Sequence, residues 1–159
     1  MPSLLILAPC QRIVHGDEEH DVSFISILEG VKIRVAGGAE PPPGTTIQMI
    51  WYVFVCWKKD EDDQDRKYEQ RILFMNPSGK LMMETVPQEF YFDTRMVHVI
   101  TRFSNFPISH QGICPLIVQI RELGQEQWEQ TVSYPLLVEY EVPPAITDKA
   151  NKVVIWHKI

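Results

Sequence analysis

Five residues near the N-terminus, His15, Asp17, Glu18, Glu19 and His20, bring imidazole and carboxylate donors together, the ligand types that hold transition metals. The two histidines lie five apart on a polar connector, which preorganises no coordination geometry, so a solvated loop is the better reading. Asp60-Glu61-Asp62-Asp63-Gln64-Asp65 offers the hard oxygens that suit calcium. It lacks both the glycine for a sharp calcium loop and the closing bidentate glutamate, and Arg66 and Lys67 follow at once. For nucleophilic catalysis the candidates are Cys10, Cys56 and Cys114, with His98 or His110 as base. No Gly-x-Ser-x-Gly elbow accompanies them, and Cys56 and Cys114 fall inside apolar segments where a thiol is inert. Gly37-Gly38 has neither the spacing nor the lysine of a phosphate loop. Glu126 and Glu129 would flank a sugar bond only if opposite strand faces converged. These residues assign no catalytic group, metal or cofactor, and the expectation is a protein that is not an enzyme.

Residues able to bind stand out more clearly than residues able to react. Ile47 to Trp57 reads Ile-Gln-Met-Ile-Trp-Tyr-Val-Phe-Val-Cys-Trp, apolar at every position except Gln48. In a strand, alternation puts Ile47, Met49, Trp51, Val53, Val55 and Trp57 on one face and Ile50, Tyr52, Phe54 and Cys56 on the other. Both faces then need cover. The second is shielded either by the chain's own loop or tail, or by a partner. Near the C-terminus Val153-Val154-Ile155-Trp156 is a second β-prone run, able to dock on a sheet or add a strand to an exposed edge with Trp156 as anchor. Ile50, Tyr52, Phe54, Val154 and Trp156 are therefore the candidate partner-binding residues. An alternative function is a small-ligand or carbohydrate binder in which Trp51, Trp57, Tyr68 or Trp128 stacks a ring. An unrecognised hydrolase is a third reading, without a constellation to support it.

The elements that must position these residues are strands. Short β-rich segments alternate with turn chemistry from end to end, and no three-turn amphipathic helix appears. The first strand spans Leu4 to Val14, with Pro9 expected at an edge or bulge. Ser23 to Val35 follows, interrupted at Gly30 by a bulge or bend. Asn76-Pro77-Ser78-Gly79 turns the strand Lys67 to Met75 into the next, making a hairpin. Pro87 divides Leu81 to Phe92, Met96 to Phe103 reads as strand because of its β-branched run, and Ile113 to Glu122 leads through a turn into Trp128 to Val142, expected to break at Pro135. Eight or nine strands spaced in this way predict an all-β antiparallel sandwich of immunoglobulin-like type over residues 1–142, followed by a docking or partner-binding tail over 143–159.

Length and composition agree. The 159 residues suffice for one self-sufficient core, and 45% apolar with 23% charged residues is ordinary for a globular chain. A net charge of −6 gives no long-range attraction for nucleic acid or anionic lipid. Three unpaired-looking cysteines form neither a disulfide framework nor a zinc motif, which points to a reducing cytoplasm. Leu7-Ala8-Pro9-Cys10 is a poor lipidation box, because its apolar run is short and no basic residues precede it. No segment approaches the length of a membrane span.

Four features, Leu5-Ile6-Leu7-Ala8, Ile25-Ser26-Ile27-Leu28-Glu29, Pro43-Gly44 before the long aromatic strand, and Phe106-Pro107-Ile108 leading to Gly112, are similar to an uncharacterised bacterial family of small β-sandwich proteins. The resemblance covers roughly residues 4–141, implies the fold, and carries over no site. The acidic loop from Asp60 to Asp65, Cys114 and the C-terminal tail depart from the family pattern. The function these observations support is a binding module whose partner is another protein or a second copy of the chain.

Overall fold

The computed structural model describes residues 1–16, 22–35, 41–61, 66–108 and 110–141. Among them are ten strands and no helix: β1 (Ser3–His15), β2 (Val22–Ile27), β3 (Gly30–Arg34), β4 (Thr46–Lys58), β5 (Lys67–Met75), β6 (Leu81–Glu84), β7 (Gln88–Tyr91), β8 (Met96–Pro107), β9 (Gly112–Glu122) and β10 (Glu129–Glu141). They form two sheets, one in the order β2-β1-β4-β8, the other β3-β10-β9-β5-β6 with β7 also on β5. The all-β expectation holds, and two details change. There are ten strands where eight or nine were expected, and β3 runs parallel to β10, so the pairing is not wholly antiparallel.

The parallel pair follows from how one stretch of chain is shared between the sheets. Ser23 to Val35, read as one strand with a bend, is split: β2 pairs with β1, and after Leu28 and Glu29 the chain enters the other sheet as β3. Gly30 sits at the crossing for a steric reason. A Cβ there would lie 2.6 Å from the carbonyl oxygen of Leu137. Ser26, four residues earlier and still within β2, holds a positive φ of 55°, an uncommon conformation for a residue other than glycine.

Prolines sit where a ladder has ended. Pro9 lies opposite Val53 on β4, and on the β2 side its carbonyl accepts from the Leu28 amide at 2.8 Å, so the β1–β2 ladder ends on the proline, which has no N–H to return. β1 is an interior strand, and its irregularity falls between Leu4 and Ile6, so neither the edge nor the bulge expected at Pro9 is present. Pro115 and Pro135 lie opposite each other, and neither can donate across that pair. Their nitrogens face outward, beyond the last β5–β9 pair, Phe74↔Leu116, and before the first β3–β10 pair, Leu137↔Gly30. β10 therefore continues through Pro135 without the expected break. Pro87 does interrupt the chain, and β6 and β7 lie in tandem along the same edge of β5. The Asn76 to Gly79 turn closes the β5–β6 hairpin as read, with the Asn76 Oδ1 accepting from the Lys80 amide at 2.7 Å and the Ser78 hydroxyl at 2.8 Å.

Between the sheets lies one large apolar core. β5 buries Tyr68, Gln70, Ile72 and Phe74 on alternate positions, and β9 buries Cys114, Leu116, Val118 and Ile120. Trp51 stacks on Phe103 with centroids 4.4 Å apart and meets Phe106 edge-on at 5.4 Å. Trp57 stacks on Phe90 at 6.0 Å. Each such ring removes roughly 150–250 Å² from water, which makes the aromatic layer the dominant stabilising block.

Candidate protein-binding surfaces

The inward side chains of β4 leave no tryptophan free to stack a ligand there. Trp51 and Trp57 are fully buried, as is Tyr68, and both indoles spend their N–H inside the protein. Trp51 donates to the Asn105 carbonyl at 3.0 Å, and Trp57 to the Gln70 Oε1 at 2.6 Å. The Nε2 of Gln70 is fully buried and has no hydrogen-bond partner among the described residues. The ring-stacking role expected of Trp51, Trp57 and Tyr68 is thus corrected: the inner face that alternation assigned them is the core.

On the outer face of β4 the four candidate residues meet different fates. Ile50 is 51% exposed and Tyr52 is half-buried, but Phe54 is only 2% exposed and Cys56 is buried. The cover comes from the chain itself. Phe24 of β2 sets its ring edge-on to Phe54 with centroids 4.6 Å apart, and the His98 ring lies 5.0 Å away on the β8 side. Ala8, Ile13, Val22 and Ile100 complete this second, smaller core. In register, Phe54 opposes Ala8 while Phe24 opposes Ile13, five residues further along β1. A straight strand would separate those positions by about 16 Å, so the β1–β2 hairpin coils back over the sheet. The consecutive burial of Ala8, Pro9 and Cys10 marks where alternation breaks. Phe54 is accordingly withdrawn from the partner-binding set, and Val154 and Trp156 lie outside the described residues.

The opposite side of the molecule carries an uncovered apolar surface. The six-stranded sheet curls as a half-barrel, and its outer face is divided along the strands. At one end, Leu73 of β5 opposes Ile117 of β9, Met75 opposes Leu81 of β6, and Ile113 opposes Leu137 of β10. Ile113 is 58% exposed, Leu81 44% and Leu137 40%, with Pro135 also exposed and Leu73, Met75, Pro115 and Ile117 half-buried between them. At the other end the same strands turn polar. Arg121 pairs with Glu69 at 2.6 Å, Arg71 with Glu84 at 2.6 Å and with the Gln119 Oε1 at 2.8 Å. The guanidinium carbons of Arg71 and Arg121 lie 4.4 and 4.3 Å from the centre of the half-buried Trp128 ring. Trp128 is thus engaged by two cations of its own chain, where a stacked ligand was expected.

This surface escaped the sequence reading, although its signal was present. Ile113-Cys114-Pro115-Leu116-Ile117-Val118 is apolar at consecutive positions, the same pattern that singled out the segment from Ile47 to Trp57. Its paired strands had to be known before Leu73, Leu81 and Leu137 could be added to it.

All three cysteines are buried free thiols, and burial pushes each above its ordinary range, Cys114 to about 11. Among the described residues no group of three or more His, Cys, Asp or Glu could hold a metal. The candidate ligands at 17–20 and 62–65 lie outside those residues. Likewise no described helix is long and apolar enough to cross a membrane. The chain matches no family model and no curated protein.

Proposed function

We propose that this chain is a non-enzymatic binding module that engages a protein through the apolar end of the outer face of its six-stranded sheet. The observation that carries the reading is the apolar group in which Leu81, Ile113 and Leu137 are exposed and the register partners Leu73 and Ile117 are half-buried between them. Apolar surface of this extent on a folded domain is characteristically an interaction site. Protein is favoured over nucleic acid or lipid as the partner class because the chain carries a net charge of −6 and the face balances Glu69 and Glu84 against Arg71 and Arg121. The finer fold reading, an immunoglobulin-like sandwich, is supported by the β10-β9-β5-β6 order with β3 parallel to β10. Its departure from that plan is β1, inserted between β2 and β4.

A photo-activatable residue placed at Ile113 or Ile117 in cells is expected to give a discrete adduct with one protein, and the same residue at Ile50 none. The purified partner should then bind the native chain and lose binding to Ile113→Asp. Equal adducts from both sheets, or rebinding that ignores Ile113→Asp, would sink this reading.

A further inference from the structure

Resting on that reading, we infer that the partner is a second copy of this chain, docked face to face about a two-fold axis running along the boundary between β5 and β9. The argument is the symmetry of the surface about that line. An isologous contact requires residues equidistant from the axis to suit each other, since each meets its register neighbour's copy. Leu73 and Ile117 are register partners, so Leu73 would lie over the second copy's Ile117 and the reverse. One step outward in the neighbouring row, Leu81 of β6 would meet Pro135 of β10, both exposed in the single chain.

The charges obey the same rule. Glu69 and Arg121 are also register partners across this boundary. Two-fold rotation sets each Glu69 against the other copy's Arg121, closing an alternating ring of four charges around the 2.6 Å pairs already present. A net charge of −6 repels a second copy at long range, but this face pairs Glu69 with Arg121 and Glu84 with Arg71 and is locally balanced. Extent matters as well. The 11 residues of β9 run for about 36 Å and four strands span about 19 Å, roughly 700 Å² of face. That compares with about 800 Å² per partner in a stable complex. Because the sheet curls, its flanks fall away from the axis, and the association expected is reversible rather than obligate.

The test is light scattering on the full chain across a concentration series, with circular dichroism confirming the fold of each variant. The native chain should move reversibly from 18.5 kDa toward twice that mass. Ile117→Asp should weaken the dimer by at least about 30-fold, as loss of a central apolar anchor does, and Ile50→Asp on the other sheet should leave it intact. Glu69→Arg should weaken it, and adding Arg121→Glu should restore it. A native mass of 18.5 kDa at every concentration would overturn the second copy as occupant, as would a dimer indifferent to Ile117→Asp. A native monomer that dimerises only with Trp156→Asp would assign the face to the tail and also overturn it. In each of these cases the in-cell adduct at Ile117 decides separately whether the face binds another protein.

Discussion

β4 and β9 both carry apolar residues on two faces, yet the chain itself covers the Phe54 and Cys56 end of the outer face of β4, leaving Ile50 exposed, while the Ile113 end of β9 stays open. The neighbours decide. β4 lies beside a 13-residue strand whose hairpin partner is long enough to coil back and lay Phe24 on Phe54. β9 lies between β5 and β10, whose outward residues continue its apolar row, and the edges beyond them are only the five-residue β3 and the four-residue pieces β6 and β7. The same sequence signature therefore marks a small second core around Phe54 in one sheet and an exposed apolar row around Ile113 in the other. A doubly apolar strand says that cover is needed; who supplies it depends on what is adjacent.

The contrast is broken most directly at Phe54. If the outer face of β4 is core, Phe54→Ala should cost about 3–5 kcal/mol in urea unfolding, as for a buried aromatic ring; a loss below about 1 kcal/mol would return that face to the surface. The crossing that lets β2 and β3 serve different sheets is tested by Gly30→Ala. Its Cβ would press on the Leu137 carbonyl, and a loss of about 1–3 kcal/mol is expected by comparison with overpacked sites.

Thiol chemistry sharpens the same comparison. In the native chain Cys10, Cys56 and Cys114 should all resist a water-soluble disulfide reagent, and Phe24→Ala should selectively expose Cys56, which packs in the cluster that Phe24 covers. Burial raises all three thiols in the folded state. Above their ordinary range the unfolded chain releases protons that the native chain keeps, so stability should be intact below pH 9 and decline as pH rises toward 11, read by unfolding at pH 8 and 10.5. Smaller effects belong to the open sheet. Trp128→Ala should cost about 1 kcal/mol through two partly exposed cation–π contacts. Leu137→Asp should change unfolding by under about 0.5 kcal/mol, as exposed positions do, while altering association.

Much of the fold was legible because strand chemistry is local. Alternation placed Trp51 and Trp57 on one face of β4, Asn76 to Gly79 made the hairpin, and Gly30 marked a bend. Pro9 and Pro135 fit without the expected edge, bulge or break because a proline's cost depends on whether a neighbouring strand continues past it: the β1–β2 ladder ends on Pro9 with the Leu28 amide, and the β3–β10 ladder begins only at Leu137. The candidate site was legible only as a demand. Period-two patterning shows that Phe54 and Ile117 both point away from the main core, since it follows from backbone geometry that each residue carries with it. That Phe24 packs on the first while the second stays half-buried beside the exposed Ile113 is a matter of which strands pair, in what register, and how far a hairpin bends. Those are contacts between residues distant in sequence, set by the joint packing of both sheets, and only the tertiary structure could decide them.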